Sequence, residues 1–321
     1  ENIYVKRDIQ KSIYYLTLSA DQNNPDSQNL LGGILYYGEY ITRDIYKGID
    51  YLTRSADQNN SKAQLLLGSI YFYGIDIPAD FNKGIHYLNL SANSGNAEAQ
   101  YLLGEIYYTG ENIPQNINKA IYYLSLSADL KNIRAQSLLG KIYYYDSHNR
   151  DITKSIYYLT LAADQNESDS QYLLGEIYFT GLYIERDFKK AFDYLNQSAK
   201  QNNSDAQFFL GYIYYHGINV SKDINKSIEY LTASANQNNE NSQYFLGTIY
   251  YLGDKVQADI TKSIYYLTLS AIQGNTDSQI ALGLFYLLKK FDIEKSIYYL
   301  NLAAGKNNSY AQILLGKIYY D

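Results

Sequence analysis

The apolar positions of this chain recur in a fixed order. In residues 99–129, AQYLLGEIYYTGENIPQNINKAIYYLSLSAD, apolar side chains stand just before and just after Gly104, at Leu102, Leu103, Ile106 and Tyr107. At about 100° per residue these four share one side of a helix. A second apolar set follows Lys119, at Ile121, Tyr123 and Leu124, with small Ala120 and Ala128 that allow a neighbouring helix to come close. The segment therefore reads as two amphipathic helices and two connections.

Almost everything else is a near-copy of that segment. The Leu-Gly anchor returns at Gly32, Gly68, Gly104, Gly140, Gly175, Gly211, Gly247, Gly283 and Gly316. The Lys that opens the second apolar set returns at Lys11, Lys47, Lys83, Lys119, Lys154, Lys190, Lys226, Lys262 and Lys295. Both series step by 36 residues, with one step of 35 and a last step of 33. Self-similarity at this period marks a solenoid, in which each unit leans on its neighbours and no single core has to grow. The expected architecture is all-α, about nine two-helix repeats over residues 1–321 as one elongated domain.

Helix boundaries recur with the repeat. Asn stands eight residues before the anchor glycine at Asn24, Asn60, Asn96, Asn132, Asn203, Asn239, Asn275 and Asn308, a strong N-cap, with Pro25 after the first of them. Gly38, Gly74, Gly110, Gly181, Gly217 and Gly253 suit a left-handed helix end. Asp three residues before the Lys (Asp8, Asp44, Asp80, Asp151, Asp187, Asp223, Asp259 and Asp292, with Asn116 in place of one) caps the second helix. These acids lie a repeat apart with no local partner ligands, so they do not make metal sites. Gln100 and its equivalents (Gln28, Gln64, Gln136, Gln171, Gln207, Gln243, Gln279 and Gln312) are expected to tie adjacent helices or loops together, because a buried amide must be hydrogen-bonded.

The pattern A/S-Q-x-x-L-G-x-x-Y-x-x-G, then D-x-x-K-A/S-x-x-Y-x-x-x-S/A-A, resembles the Sel-1-like repeat, a relative of the tetratricopeptide repeat. It covers essentially the whole chain. The family's second loop Gly is missing, as in Gly110-Glu111-Asn112-Ile113, and Tyr stands where Trp is frequent in the second helix. The resemblance implies a right-handed α-solenoid that serves as a scaffold or adaptor for other proteins, with no catalysis.

Two places break the register. Tyr145-Asp146-Ser147-His148 replaces the usual Gly-containing turn, which predicts a local irregularity. At Leu287-Leu288-Lys289-Lys290-Phe291 the connecting Gly is gone and three residues are deleted, which predicts a tighter turn. The chain starts on a second helix (Asp8 to Ala20) and stops on a first helix (Gln312 to Tyr320). Two readings stay open: a piece of a larger signalling or degradation protein, or a structural subunit forming a homo-oligomer head to tail through its ends, as a filament or ring.

Composition narrows the function classes. Net charge is -6, no basic run stands out, and a nucleic-acid footprint is not expected. No apolar stretch approaches the roughly 20 residues of a membrane span. Cys is absent, so disulfides and thiolate metal sites are excluded. His86, His148 and His216 lie in different repeats at different positions and read as surface residues. No catalytic, metal or cofactor site is expected, and the pair Glu98 and Glu105 reads as solvated charge.

The candidate binding residues sit four after the anchor glycine, where eight of nine residues are aromatic: Tyr36, Phe72, Tyr108, Tyr144, Phe179, Tyr215, Tyr251 and Tyr320, with Leu287 the exception. Tyr101, Tyr172, Phe208 and Tyr244 join them from three before it. Helical geometry puts this position roughly opposite the apolar face. The expectation is an aromatic stripe along the concave side, formed by the first helices, that accepts a peptide or protein. The competing expectation is that neighbouring rings pack on one another. Ala at Tyr108, Tyr144 and Tyr215 separates the two, because a binding stripe would leave the melting temperature nearly unchanged.

Overall fold

The computed structural model describes residues 8–253, 256–288 and 292–320. All regular structure among them is α-helical. They divide into two compact units, one ending at Gln165 and the other beginning at Asn166. The first holds α1 (Ile9–Asp21), α2 (Pro25–Tyr37), α3 (Ile45–Asp57), α4 (Ser61–Tyr73), α5 (Phe81–Asn93), α6 (Ala97–Thr109), α7 (Ile117–Asp129), α8 (Ile133–Tyr145) and α9 (Ile152–Ala163). The second holds α10 (Ser168–Thr180), α11 (Phe188–Lys200), α12 (Ser204–His216), α13 (Ile224–Ala235), α14 (Glu240–Leu252), α15 (Ile260–Ile272), α16 (Thr276–Leu288), α17 (Ile293–Gly305) and α18 (Ser309–Tyr320). Even-numbered helices are the first of each repeat and odd-numbered ones the second.

Capping follows the sequence closely. The side chains of Asp8, Asp44, Asp80, Asn116, Asp151, Asp187, Asp223, Asp259 and Asp292 each accept the backbone N–H of the following Lys at 2.9–3.0 Å. The eight Asn residues cap first helices in the same way. At α10 the cap is Glu167, whose carboxylate accepts the N–H groups of Asp169 and Ser170. The six connecting glycines adopt φ of 60–73°. Second helices end on a left-handed residue too. Asn fills that place six times, at Asn23, Asn59, Asn166, Asn202, Asn238 and Asn307, which explains the recurring Asn-Asn doublet. At the irregular repeat α8 ends without a glycine, and Asp146 instead accepts the N–H groups of His148 and Asn149. The shortened connection expected before α17 lies, at residues 289–291, outside the described residues.

The anchor glycine marks the closest approach of each helix pair. A Cβ at Gly32, Gly68, Gly104, Gly140, Gly175, Gly211, Gly247 or Gly283 would lie 2.5–2.8 Å from Cγ of a leucine on the next helix. Those leucines, Leu52, Leu88, Leu124, Leu159, Leu195, Leu231, Leu267 and Leu300, are all buried. Only a residue without a side chain lets the two backbones meet there. In four repeats the approach is also hydrogen-bonded. Ser155, Ser227, Ser263 and Ser296 donate to the carbonyls of Gly140, Gly211, Gly247 and Gly283 at 2.8–2.9 Å.

Polar ties join the ends of the helices. The Gln28 amide donates to the Ala20 carbonyl, and Gln64, Gln100, Gln136, Gln207, Gln243, Gln279 and Gln312 repeat the bond, as their sequence position suggested. Its Oε1 accepts from a second Gln after the next helix, as in Gln58 to Gln28, Gln165 to Gln136 and Gln201 to Gln171. Where that second position holds Ser94, Leu130 or Lys306, the buried Oε1 of Gln64, Gln100 or Gln279 has no hydrogen-bond partner.

Tyrosine fills the remaining interface. Seven tyrosine pairs, from Tyr71–Tyr87 to Tyr286–Tyr299, stack with centroids 5.9–6.1 Å apart and planes within 4–12°. The repeat's Lys ammonium lies 4.0–5.4 Å from the first ring of each pair. Parallel offset rings and a cation over the face are both favoured by the ring quadrupole.

Two substitutions check this account by urea unfolding. Leu130→Gln gives the Gln100 oxygen a donor and should raise stability by on the order of 1 kcal/mol. Gly104→Ala forces a methyl against Leu124 and should cost about 1–3 kcal/mol. Combined with Leu124→Ala, it should cost clearly less than the two single losses added together.

Candidate partner-binding face

The side formed by successive first helices was expected to display the aromatic stripe. The structure places much of it inside. Tyr36 and Phe72 are each 3% exposed and Tyr101 7%. Tyr108, Tyr144, Tyr172, Phe179, Phe208, Tyr215 and Tyr244 are half-buried, and only Tyr251 and Tyr320 are exposed. The position four after the glycine is thus not opposite the packed face. The helix pair covers one flank, and the following first helix covers the other. Phe179 meets Phe209 edge-on at 4.9 Å, Tyr215 meets Phe245 at 5.0 Å, and Tyr251 meets Phe285 at 6.4 Å. A wheel drawn for one isolated helix cannot show this second flank.

The exposed aromatic and aliphatic positions lie one residue further on, at Tyr37, Tyr73, Tyr145, Leu252 and Leu288. The sequence reading did not single them out, although five apolar residues at one repeat position were a signal. The position three after the Lys, at Tyr14, Tyr122, Tyr157, Tyr265 and Tyr298, is exposed as expected. His86, His148 and His216 are exposed as well. His216 lies 4.3 Å from the Tyr212 ring, and the partial desolvation of its imidazole, then the Lys222 charge, lower its pKa from the ordinary value.

Charge differs between the units. In the first unit Glu98 and Glu105 are not merely solvated. Glu98 is ion-paired with Arg134, and Tyr101 donates its hydroxyl to Glu105. The Arg134 guanidinium lies 4.5 Å from the Tyr101 ring centroid. Burial, then Glu105, pushes the Tyr101 phenol above its ordinary pKa. In the second unit, helices α10, α12, α14 and α16 carry Asp169, Glu176, Asp205, Glu240 and Asp277, and no Lys or Arg.

Hollows occur in two settings. One of about 280 Å³, lined by Phe179, Phe188, Phe192, Ile213, Ile218 and Val220, lies beside the loop that follows α12. Hollows at the equivalent place of other repeats, beside Ile85 and Pro114 and beside Ile121 and Arg150, show that it follows from the architecture. A different one, of about 250 Å³, opens between α14 and α16 and is mostly apolar, lined by Tyr244, Thr248, Tyr251, Leu284, Phe285 and Leu288.

Paired helices stacked in register, with polar ties at each junction, define a helical repeat protein. The Sel1 repeat model matches residues 3–24, 25–60, 61–96, 97–132, 133–167, 168–203, 204–239, 241–275 and 276–308, and the chain belongs to that family. Two solved structures are similar. One is c5321 of uropathogenic Escherichia coli, described as a protective antigen displaying an SLR fold. It is 27% identical, with a TM-score of 0.83 over 96% of this chain and 67% of its own. The other is a Sel1 repeat protein from Oxalobacter formigenes, 28% identical, with a TM-score of 0.79 over 98% of this chain and 91% of its own. No curated protein matches the chain. Sel1-repeat proteins are generally protein-interaction scaffolds and typically non-catalytic. No helix among the described residues is long and apolar enough to cross a membrane.

Ring packing sets the outcome of the tyrosine substitutions. Tyr215 touches Phe245 and holds the Lys222 ammonium 5.0 Å from its ring centroid. Tyr215→Ala should therefore cost on the order of 2 kcal/mol in denaturant unfolding, and the triple Ala variant should melt well below the wild type.

Proposed function

We propose that this protein is a non-catalytic scaffold that holds a peptide or protein segment against the first-helix face of its second unit. The observation that carries this reading is the apolar hollow between α14 and α16. Small-molecule sites usually measure about 300–1,000 Å³, and a hollow of about 250 Å³ is better matched to one or two side chains of a protein partner. Its rim leaves Tyr251 43% and Leu288 70% exposed, so a partner would bury apolar surface that now faces water. Of the aromatic stripe, Tyr244 and Tyr251 contribute directly to the hollow. The half-buried edges of Tyr172, Phe179, Phe208 and Tyr215 extend along the same face and supply rigid contact area at low entropic cost. Tyr36, Phe72 and Tyr101 hold the fold rather than a partner.

The test is affinity capture from the native host, comparing the wild type with Thr248→Trp. Thr248 lines the hollow and is half-buried, so the indole should fill it while leaving the melting temperature within a few degrees. Proteins retained by the wild type and lost with Thr248→Trp support the reading. Equal retention by both overturns it.

A further inference from the structure

One position of the first helices closes each repeat against the one before. Two residues ahead of the anchor glycine the chain holds Leu or Phe in every repeat except the eighth, where it holds Ala281. In the second unit the two phenylalanines act as plugs. Phe209 of α12 meets two rings of α10 edge-on, Tyr172 at 6.5 Å and Phe179 at 4.9 Å. Phe245 of α14 meets the equivalent rings of α12 in the same way, Phe208 at 6.5 Å and Tyr215 at 5.0 Å. Edge-to-face contacts at these separations are favoured by the ring quadrupole.

The next junction has the socket without the plug. On α14 the two flanking positions again hold rings, Tyr244 and Tyr251, yet α16 brings only the methyl group of Ala281 to the plugging position. There the mostly apolar hollow of about 250 Å³ opens, with Tyr244, Tyr251 and Ala281 all on its wall. Phe285, which stands where α12 and α14 hold Ile213 and Ile249, leaves that space open. Its ring is buried and meets Tyr251 at 6.4 Å, farther than Phe209 lies from Phe179 or Phe245 from Tyr215. The Thr248 hydroxyl on the wall donates to the Tyr244 carbonyl at 3.0 Å, and among the described residues no charged side chain lines the hollow.

We propose that a phenylalanine side chain of a partner protein enters this hollow and takes the part between Tyr244 and Tyr251 that Phe245 plays between Phe208 and Tyr215. This rests on the scaffold reading above and names the side chain that the scaffold holds. Size agrees with it. An apolar cavity of about 150 Å³ already admits benzene, so a hollow of about 250 Å³ admits a phenyl ring with its methylene. Polarity agrees as well, because a charged side chain would lose its water there and find no opposite charge on the wall. An aliphatic side chain would occupy the volume but forgo the edge contacts with the two tyrosines. The exposed Leu288 on the rim gives the residues beside that ring further apolar surface to cover.

Selection of a random peptide library displayed on phage, against the full chain, tests the inference directly. Wild-type protein should enrich peptides that share a Phe beside apolar residues. Replacing that Phe by Ala in the best synthetic peptide should weaken binding about tenfold or more, and replacing it by Leu should weaken it less. Ala281→Phe supplies the plug from within the chain, so it should keep or raise the melting temperature while abolishing binding of the Phe peptide. If that variant melts below the wild type, Ala281→Leu, which carries the residue of most other repeats, takes its place and should weaken binding likewise. Peptides enriched without Phe, or binding unaffected by filling position 281, would sink the phenylalanine assignment and leave the scaffold reading to the Thr248→Trp comparison. A library that yields no peptide at all also sinks the assignment, and the host capture experiment then decides the scaffold reading by itself.

Discussion

The constraint on which the structure depends is the backbone approach at the anchor glycine. A leucine side chain from the second helix lies where the glycine's own side chain would be. That contact sets how near the two helices of a repeat come, and hence which other atoms can meet. With a larger residue there the helices separate. The serine hydroxyls then no longer reach the glycine carbonyls, and the tyrosine rings at the far end of the pair lose their parallel overlap. Gly48 and Gly84 show the same crowding from the other side, since a Cβ there would meet the backbone of Tyr36 or Phe72 at 2.7 Å.

Around that approach the polar groups are arranged so that each repeat completes the next. The glutamine of one first helix closes the turn before it and accepts from the glutamine after the following helix. A tyrosine hydroxyl reaches back to the preceding second helix, as Tyr123 does to Asn89 at 2.7 Å. Such ties are worth only about 1 kcal/mol each, because folding exchanges them for bonds to water. Their effect is to make register costly to change, since a slip would leave a whole row of buried amides without partners.

The same economy of space decides what surface remains for a partner. Rings that one helix would present to solvent are taken up between successive first helices. What stays open is a row of side chains one position further along and an apolar hollow. In the first unit Arg134 pairs with Glu98, whereas in the second unit Asp205 stands at the position of Arg134. Two stretches with nearly the same sequence pattern therefore carry different side-chain charges.

Periodicity and capping made the helices legible from residues alone. Asp8 and its equivalents had to cap, the connecting glycines had to turn left-handed, and the spacing of Leu103 and Ile106 had to bury one flank. These are local relations, satisfied within a few residues of chain. The fate of the aromatic stripe could not be read in the same way. Whether Tyr36, Phe72 or Tyr215 faces water depends on a helix some thirty residues away, roughly 8–10 Å distant in space. Glu98 was misread for that reason, since its partner Arg134 arrives from the next repeat. The sequence by itself determined the helices, their ends and their order. Only the tertiary structure decided which side chains the neighbouring repeats cover, because burial belongs to pairs of helices and not to one.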